Sequence, residues 1–330
     1  MENCPTLRFN LSYTHNTAGV DRLADVVGDV RIYAFDTETG VLAGVTDASR
    51  ADIARGYVEV QNPEAGVFTY VAWGVGGEDM TAGDFMELQM SDNATHTYTR
   101  AASVGETTLD DLYVMIDHDT LPVEIQGDVA PKRADFDDLF HDYAVGVEVS
   151  GDEEQTVDFD FIRNSNILDV SVTGIEHLAG RAQNDQPEQP LRIWVTGNNG
   201  RYRTDNTIDT HARTVRYESP YSRLDETSMR VDVKTLRLDI ERHTDDPVRL
   251  YVADPDSGEI LVNMNVLEAI GQIRDENGDR LYGTQEKIDR EYEFPINIVL
   301  SKDEESGELS VRIFIREWEI VTPDAEFEVN

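Results

Sequence analysis

The chain consists largely of short segments in which apolar and polar residues alternate with a period of two. This pattern is typical of β-strands that bury one face. Apolar spacings of three and four predict only short helices, at residues 20–27, 133–143 and 265–273. A first series of predicted strands covers residues 6–13, 29–36, 57–61, 67–74, 85–90 and 111–119, and a second series covers residues 143–150, 156–162, 167–175, 191–197, 228–242, 248–254, 259–265, 293–300 and 309–321.

Strands of this frequency, joined by turn-rich loops, favour β-sandwiches over alternating βαβ units. The alternation restarts after Asp142, and the stretch GDVAPKRADFDDLF before it has the character of a connection. A chain of 330 residues is long for one domain and natural for two. The sequence therefore predicts an all-β protein with two sandwich domains, residues 1–145 and residues 146–330, and a few short helices.

Three acidic stretches end in a glycine and lie between two predicted strands: DTETG from Asp36, DPDSG from Asp254 and DEESG from Asp303. A calcium loop of the EF-hand type needs glycine at its sixth position and glutamate at its twelfth. Here glycine is fifth, and the twelfth position counted from Asp254 is Asn265. Glycine after such a cluster supplies the positive φ of a short hairpin loop. The three stretches are therefore predicted to be hairpin tips and not metal sites.

The first predicted strand, TLRFNLSY, has a clear inward face. Leu7, Phe9 and Leu11 alternate with polar residues, so these three side chains are expected to enter the core. Their burial would contribute about 1.5–3 kcal/mol each before conformational entropy is subtracted.

The charge balance is strongly acidic, with 66 acidic and 28 basic residues and a net charge of −38. Such a surface repels nucleic-acid phosphates and anionic lipid headgroups, so neither a nucleic acid nor a polybasic membrane contact is expected. The acidic residues are spread along the chain and do not form a tail. A halophilic surface and a soluble extracellular surface both fit this composition.

Catalytic and metal-binding motifs are absent from the sequence. The seven histidines form none of the usual metal spacings, and there is no nucleophile-elbow motif. We therefore expect no enzyme activity, no metal and no cofactor. Cys4 is the only cysteine, which excludes an intramolecular disulfide, and the residues before it lack the apolar pattern expected before a lipidated cysteine.

One segment has the residue types of a carbohydrate or partner-binding loop. It combines an aromatic side chain with planar polar groups, a combination that suits sugar rings and peptides. The residues are Asn198, Asn199, Arg201 and Tyr202, and the segment is predicted to be an exposed loop. A solvated hairpin tip with a packed tyrosine remains the alternative.

Several separated stretches together resemble the FimB-type fimbrial subunits, the minor anchor and tip pilins of Bacteroidales. The resemblance begins with CPTLRFNLSYTHN, ADVVGDVRIYAFDTETGVL and GVFTYVAWG. It continues with LDDLYV, DDLFHD, IRNSNILDVSVTG, KIDREYEFPINIVL and REWEIV, in the same order and over essentially the whole chain.

The resemblance implies two transthyretin-like β-sandwich domains and a cell-surface lipoprotein of the outer membrane, with Cys4 as the candidate lipidation site. It also implies partners, namely other fimbrial subunits that join by strand donation, in which one subunit's strand completes another's sheet. The fimbrial anchor and the fimbrial tip are both compatible with it. The alternative function is a surface module that binds polysaccharide through the segment at 198–202.

Overall fold

The structure is a computed structural model that describes residues 5–76, 85–90, 97–99, 102–116, 130–133, 136–150, 153–178, 190–209, 214–219, 221–240, 247–303 and 305–321. In this part of the chain the fold is all-β, as predicted, with four short α-helices. The helices are α1 (Leu23–Val26), α2 (Arg50–Arg55), α3 (Val266–Ile270) and α4 (Gln285–Asp289), and a 3-10 turn covers Ile175–Leu178.

The strands are β1 (Thr6–Ser12), β2 (Asp29–Asp36), β3 (Leu42–Ala48), β4 (Tyr57–Gln61), β5 (Gly66–Val75), β6 (Phe85–Met90), β7 (Thr97–Thr99), β8 (Leu112–Ile116), β9 (Ala130–Arg133), β10 (Leu139–Val149), β11 (Gln155–Asp160), β12 (Ile162–Arg163), β13 (Ser165–Thr173), β14 (Arg192–Gly197), β15 (Arg201–Arg203), β16 (Val215–Glu218), β17 (Arg223–Leu224), β18 (Ser228–Leu236), β19 (Arg249–Ala253), β20 (Ile260–Asn265), β21 (Glu293–Lys302), β22 (Leu309–Ile315) and β23 (Trp318–Ile320).

The chain divides into two compact units. Unit 1 comprises Met1–Asp119, Asp137–Asn164 and Asn199–Ala212, and unit 2 comprises Thr120–Phe136, Ser165–Asn198 and Arg213–Asn330.

Unit 1 contains three sheets in its described residues. Sheet I has the strand order β11-β1-β4, sheet II the order β12-β10-β5-β2-β3, and sheet III the order β15-β8-β6-β7. An apolar core joins the inward face of sheet I to one face of sheet II, and it includes Phe9, Ile32, Tyr70 and Phe159. Alternating burial along β1 and β2 produces this core, because residues two apart in a strand share a face.

Unit 2 contains two sheets in its described residues. Sheet IV has the strand order β17-β18-β13-β21-β22-β23, and sheet V the order β20-β19-β14-β16-β9. β18 of sheet IV contacts β14 and β16 of sheet V, so the two sheets pack face to face. Leu168 and Val170 from β13, with Val195 and Leu250 from sheet V, are fully buried in the resulting core.

The predicted boundary between residues 145 and 146 requires correction, because it falls inside β10. This strand pairs with β5 from Leu139 to Val149, across a bulge that follows Ala144. The next strand, β11, pairs with β1, so residues up to Asn164 belong to unit 1. The restart of alternation after Asp142 marks the bulge in a single long strand and not a new domain.

The helix predicted over residues 133–143 is wrong in its described part. Phe136, Leu139 and Phe140 have the spacing of a helix face, and all three are buried. However, β10 begins at Leu139, and Phe140 lies opposite Gly74 of β5. Pairing with β5 therefore overrides the local helical pattern. Several elements were not predicted, among them β3, β16, α2 and α4, although Ser49 and Asp52 form a capping box at the start of α2.

The three acidic glycine stretches are hairpin tips, as the sequence predicts. They join β2 to β3, β19 to β20 and β21 to β22, and their glycines have φ values of 70°, 74° and 75°. In each tip the leading aspartate folds its carboxylate back onto the loop. The carboxylate of Asp303, for example, accepts hydrogen bonds from the backbone N–H groups of Glu305 and Ser306, at 2.9 and 2.7 Å. The backbone hydrogen bond from Ser306 is the main cause that lowers the pKa of Asp303.

We expect calcium to have no effect on stability, because these carboxylates accept hydrogen bonds from their own loops and do not converge on a common point. The thermal midpoint should be the same in millimolar calcium and in EDTA. A midpoint that rises by several degrees in calcium and falls again with EDTA would contradict the hairpin interpretation.

A second prediction concerns the corrected boundary. A fragment of residues 1–164 should unfold at a higher urea concentration than a fragment of residues 1–145. The longer fragment contains β11 and all of β10, whereas the shorter one cuts β10 and leaves one edge of β1 unpaired. Equal urea midpoints for the two fragments would show that residues 146–164 do not stabilise unit 1.

Candidate functional site

The first strand of the chain lies at the centre of sheet I. β1 pairs in parallel with β11, where Phe9 lies opposite Val157, and antiparallel with β4, where Phe9 lies opposite Val58. Both edges of β1 are therefore occupied by neighbours from later in the chain. We refer to the space between β4 and β11 that β1 fills as the β1 slot.

The inward side chains of β1 fill the core of unit 1. Leu7, Phe9 and Leu11 are 2%, 1% and 3% exposed. The ring of Phe9 lies edge-on to Tyr70 at a centroid distance of 5.0 Å and stacks on Phe159 at 5.9 Å. Burial raises the pKa of Tyr70 to about 12.

The outward side chains of β1 form hydrogen bonds to both neighbouring strands. Arg8 donates two hydrogen bonds to Glu59 of β4, at 3.0 Å from Nε and 2.7 Å from Nη2. On the other side, Asn10 donates to Asp158 of β11 at 2.7 Å. Ser12 also donates to Asp160, and Thr6 donates to Gln61. We call these four sets of cross-strand hydrogen bonds, from Thr6, Arg8, Asn10 and Ser12, the polar ladder.

An aromatic side chain extends the polar ladder on the β4 side. The guanidinium groups of Arg8 and Arg55 each lie 4.4 Å from the ring centroid of Tyr57. Cation–π contacts of this kind attract a guanidinium group to an aromatic face. Arg8 therefore connects β1 to β4 through two contacts, hydrogen bonds to Glu59 and a cation–π contact with Tyr57.

Carboxylates hold the end of β1. The carboxylate of Asp160 accepts hydrogen bonds from the backbone N–H and the hydroxyl of Thr14, at 2.7 and 2.5 Å. The backbone N–H of Asp160 in turn donates to the carboxylate of Asp142 at 2.7 Å. Burial raises the pKa of Asp142, and the neighbouring Asp160 charge adds to this effect. These bonds connect Thr14, two residues after the end of β1, to β11 and through it to β10.

The segment predicted as an exposed carbohydrate or partner loop is buried, so that prediction requires correction. Asn198, Asn199, Arg201 and Tyr202 are 5%, 1%, 7% and 0% exposed, and the last two lie in β15. Arg201 forms an ion pair with the buried carboxylate of Asp209. Burial lowers the pKa of the Arg201 guanidinium. The polar groups that suggested ligand binding therefore serve internal hydrogen bonds and ion pairs.

The remaining candidate residue, Cys4, lies outside the described residues, and its lipidation stays a prediction. Within the described part of the chain, no group of three or more histidine, cysteine, aspartate or glutamate side chains is placed to hold a metal ion. In the same residues, no helix combines the length and the hydropathy needed to cross a membrane.

The polar ladder is the feature that sequence reasoning missed. Alternation identifies Arg8, Asn10 and Ser12 as outward residues, but it does not say which strands flank β1. The partners Glu59 and Asp158 lie 51 and 148 residues away. No local signal connects residues at such separations.

Comparison with known proteins identifies the family. The profile of the fimbrillin-A associated anchor proteins Mfa1 and Mfa2 matches residues 1–324, and the chain belongs to this family. It is thus a fimbrial subunit, and its family places it at the cell surface. No curated protein matches the chain in sequence.

Solved structures share the fold over nearly the whole chain. The fimbrial anchor protein Mfa2 from Porphyromonas gingivalis has a TM-score of 0.66 at 18% identity, over 96% of this chain and 99% of its own. A candidate polysaccharide-binding protein from Bacteroides thetaiotaomicron has a TM-score of 0.71 at 18% identity, over 97% and 99%. A candidate adhesin from Bacteroides ovatus has a TM-score of 0.70 at 17% identity, over 98% and 97%. At these identities the similarity concerns the fold.

Two substitutions in β1 should separate the contributions of its two faces. Phe9→Ala should lower the free energy of unfolding by about 3–5 kcal/mol, because it leaves a cavity beside Tyr70 and Phe159. Asn10→Ala removes a partly exposed hydrogen bond and should cost about 1 kcal/mol or less. Urea denaturation of both variants measures the difference. Similar losses for the two variants would show that Phe9 does not anchor the strand.

Proposed function

We propose that this fimbrial subunit joins other subunits by β-strand donation and that it keeps β1 as a strand of its own. The observation that carries the proposal is the central position of β1 in sheet I, with a neighbour on each edge. A strand in this position closes the β1 slot. A subunit with a closed slot takes no donated strand there and would end the fibre at that side, as expected of an anchor.

The two faces of β1 support this role in different ways. The inward side chains supply apolar burial, as any donated strand could. The polar ladder adds a requirement for register, because Arg8 must meet Glu59 while Asn10 meets Asp158. A strand with another polar pattern would leave these carboxylates without their hydrogen-bond donors. The native β1 therefore has an advantage over a donated strand.

A partner strand would then pair elsewhere on the molecule. In the described residues, β23 is the last strand of sheet IV. Trp318 at its start is 43% exposed, and Val321 just after it is 72% exposed. An edge strand with exposed apolar residues is a template for pairing with another chain. We assign β23 as the candidate edge for contact with a neighbouring subunit.

Attachment to the outer membrane and the absence of catalysis are further parts of the proposal. We infer attachment to the outer membrane through a lipid on Cys4, a structural role without catalysis, and no requirement for a cofactor. The support is membership in a family of anchor proteins. Polysaccharide binding through residues 198–202 is not part of the proposal, since these side chains are buried.

Removal of β1 tests the proposal directly. A chain that lacks residues 1–13 should aggregate or pair with strands of other molecules. The deletion exposes the core residues that β1 covers and leaves one edge of β4 and one edge of β11 unpaired. A synthetic peptide of residues 5–14 should restore a soluble monomer. Size-exclusion chromatography and thermal unfolding measure both effects.

The matched control is the same peptide with Phe9→Glu, which keeps the polar ladder and loses the central apolar side chain. It should fail to restore the monomer. If the truncated chain stays monomeric with an unchanged thermal midpoint, or if the control peptide works equally well, β1 does not close a slot and the proposal is wrong.

A further inference from the structure

The side chain of Gln272 bonds the main chain directly after β23. Its amide nitrogen donates to the carbonyl oxygen of Val321 at 2.9 Å, and its amide oxygen accepts from the backbone N–H of Val321 at 3.1 Å. A side-chain amide carries a donor and an acceptor, as a peptide group does. One glutamine side chain therefore gives Val321 the two hydrogen bonds that a residue of an adjacent strand would give it.

The end of α3 fixes the backbone of Gln272. Its N–H donates to the carbonyl oxygen of Ala269 at 3.1 Å, and the N–H of Ile273 donates to that of Ile270 at 3.2 Å. Ile273 is fully buried, so the main chain next to Gln272 is held by the core. The side-chain amide of Gln272 bonds no described residue other than Val321. The amide can therefore leave Val321 while the backbone of Gln272 stays in place.

These two hydrogen bonds lie on the outer edge of sheet IV. Val321 directs both of its main-chain groups to Gln272, and thus away from β22. Because this direction alternates along a strand, Glu319 directs its main-chain groups to the same outer side. No strand of the described residues pairs with that side of β23. A strand that adds to this edge would bond Glu319 and then Val321, where the Gln272 amide already lies.

The side chains along this edge indicate which strand fits it. Trp318 is 43% exposed and Val321 is 72% exposed, so the edge offers apolar surface. Glu317 beside Trp318 is exposed, whereas Glu319 is paired with Arg312. The whole chain has a net charge of −38. Cross-strand pairs are favourable between apolar residues and between opposite charges. The edge therefore fits an extended segment in which apolar and basic residues alternate.

We propose that Gln272 is a gate on the β23 edge, and that a strand of a neighbouring fimbrial subunit opens the gate when its peptide group replaces the Gln272 amide at Val321. This role rests on the assignment of β23 as the contact edge in the proposed function. While the gate is closed, the amide occupies part of an edge that would otherwise be a template for pairing with any strand. A partner strand also adds main-chain hydrogen bonds at Glu319, which the glutamine does not provide.

A strand peptide tests the gate in the full chain. The probe is a labelled decapeptide in which valine and lysine alternate, used in about 0.15 M salt so that attraction to distant charges is screened. Gln272→Ala should bind the probe about tenfold more tightly than the unmodified protein, because no side chain has to leave Val321. Fluorescence anisotropy measures both affinities. In hydrogen exchange, the probe should protect the backbone N–H groups of Glu319 and Val321 in this variant.

The matched control is Gln155→Ala. The Gln155 amide likewise bonds main-chain groups, the N–H of Ser150 and the carbonyl oxygen of Glu148 at 2.9 Å each, but it lies in unit 1. This variant should leave the probe affinity within twofold of the unmodified protein. The double variant Gln272→Ala/Val321→Pro lacks the N–H of Val321 and should lose the tighter binding. The probe with every backbone nitrogen methylated should not bind, because it cannot donate main-chain hydrogen bonds.

The outcomes separate failure of the gate from failure of the edge. Equal probe affinities of Gln272→Ala and the unmodified protein, with protection at Glu319 in both, would overturn the gate and leave β23 as the contact edge. Equal tightening by Gln155→Ala would also overturn the gate. Absence of probe binding to Gln272→Ala, or equal binding of the methylated probe, would overturn both the gate and the assignment of β23. None of these results changes the outcome expected when β1 is removed.

Discussion

The contact of Phe9 with Tyr70 and Phe159 holds together parts of unit 1 that are far apart in the chain. Tyr70 belongs to sheet II, whereas Phe9 and Phe159 come from neighbouring strands of sheet I. The sequence separation between β1 and β11 is 148 residues at Asn10 and Asp158. Closing so long a loop is entropically unfavourable, although the cost grows only slowly with length. The free energy gained by burying the apolar side chains of β1 must offset this entropic cost. The other core residues of unit 1 are shielded from water only when β1 is in place.

The two faces of β1 have different physical roles. Apolar burial is nearly indifferent to which residue of a strand fills a given position, provided that the volume fits. The hydrogen bonds of Arg8 and Asn10 are specific, because a slip of one residue would turn these polar groups inward and Phe9 outward. Stability therefore comes mainly from one face and register mainly from the other. Because of this division, β1 can be bound strongly through its apolar face and in a single register through its polar face.

Much of the fold follows from local pattern, and the errors have identifiable physical causes. β2 and β4 begin and end at the predicted residues, and the hairpin tips follow from the position of a glycine after an acidic cluster. The apolar spacing around Phe136 and Phe140 also suits a helix, and pairing with β5 determines that the segment from Leu139 is a strand. The segment around Arg201 is rich in polar residues, which are normally exposed, whereas Arg201 is buried and forms an ion pair with Asp209. β5 is far from Phe140 in the sequence, and although Asp209 follows Arg201 by only eight residues, no pattern in the sequence shows that the two are buried together.

The division of the chain into two units has a consequence for the order in which the protein folds. The chain passes between the units five times, at residues 119–120, 136–137, 164–165, 198–199 and 212–213. Domains joined by a single linker can be synthesised and folded one after the other. The interleaving of the two units delays completion of unit 1 on the ribosome, because β15, the partner of β8, is synthesised only after residues 120–136 and 165–198 of unit 2. Late completion of unit 1 is thus a result of the chain path.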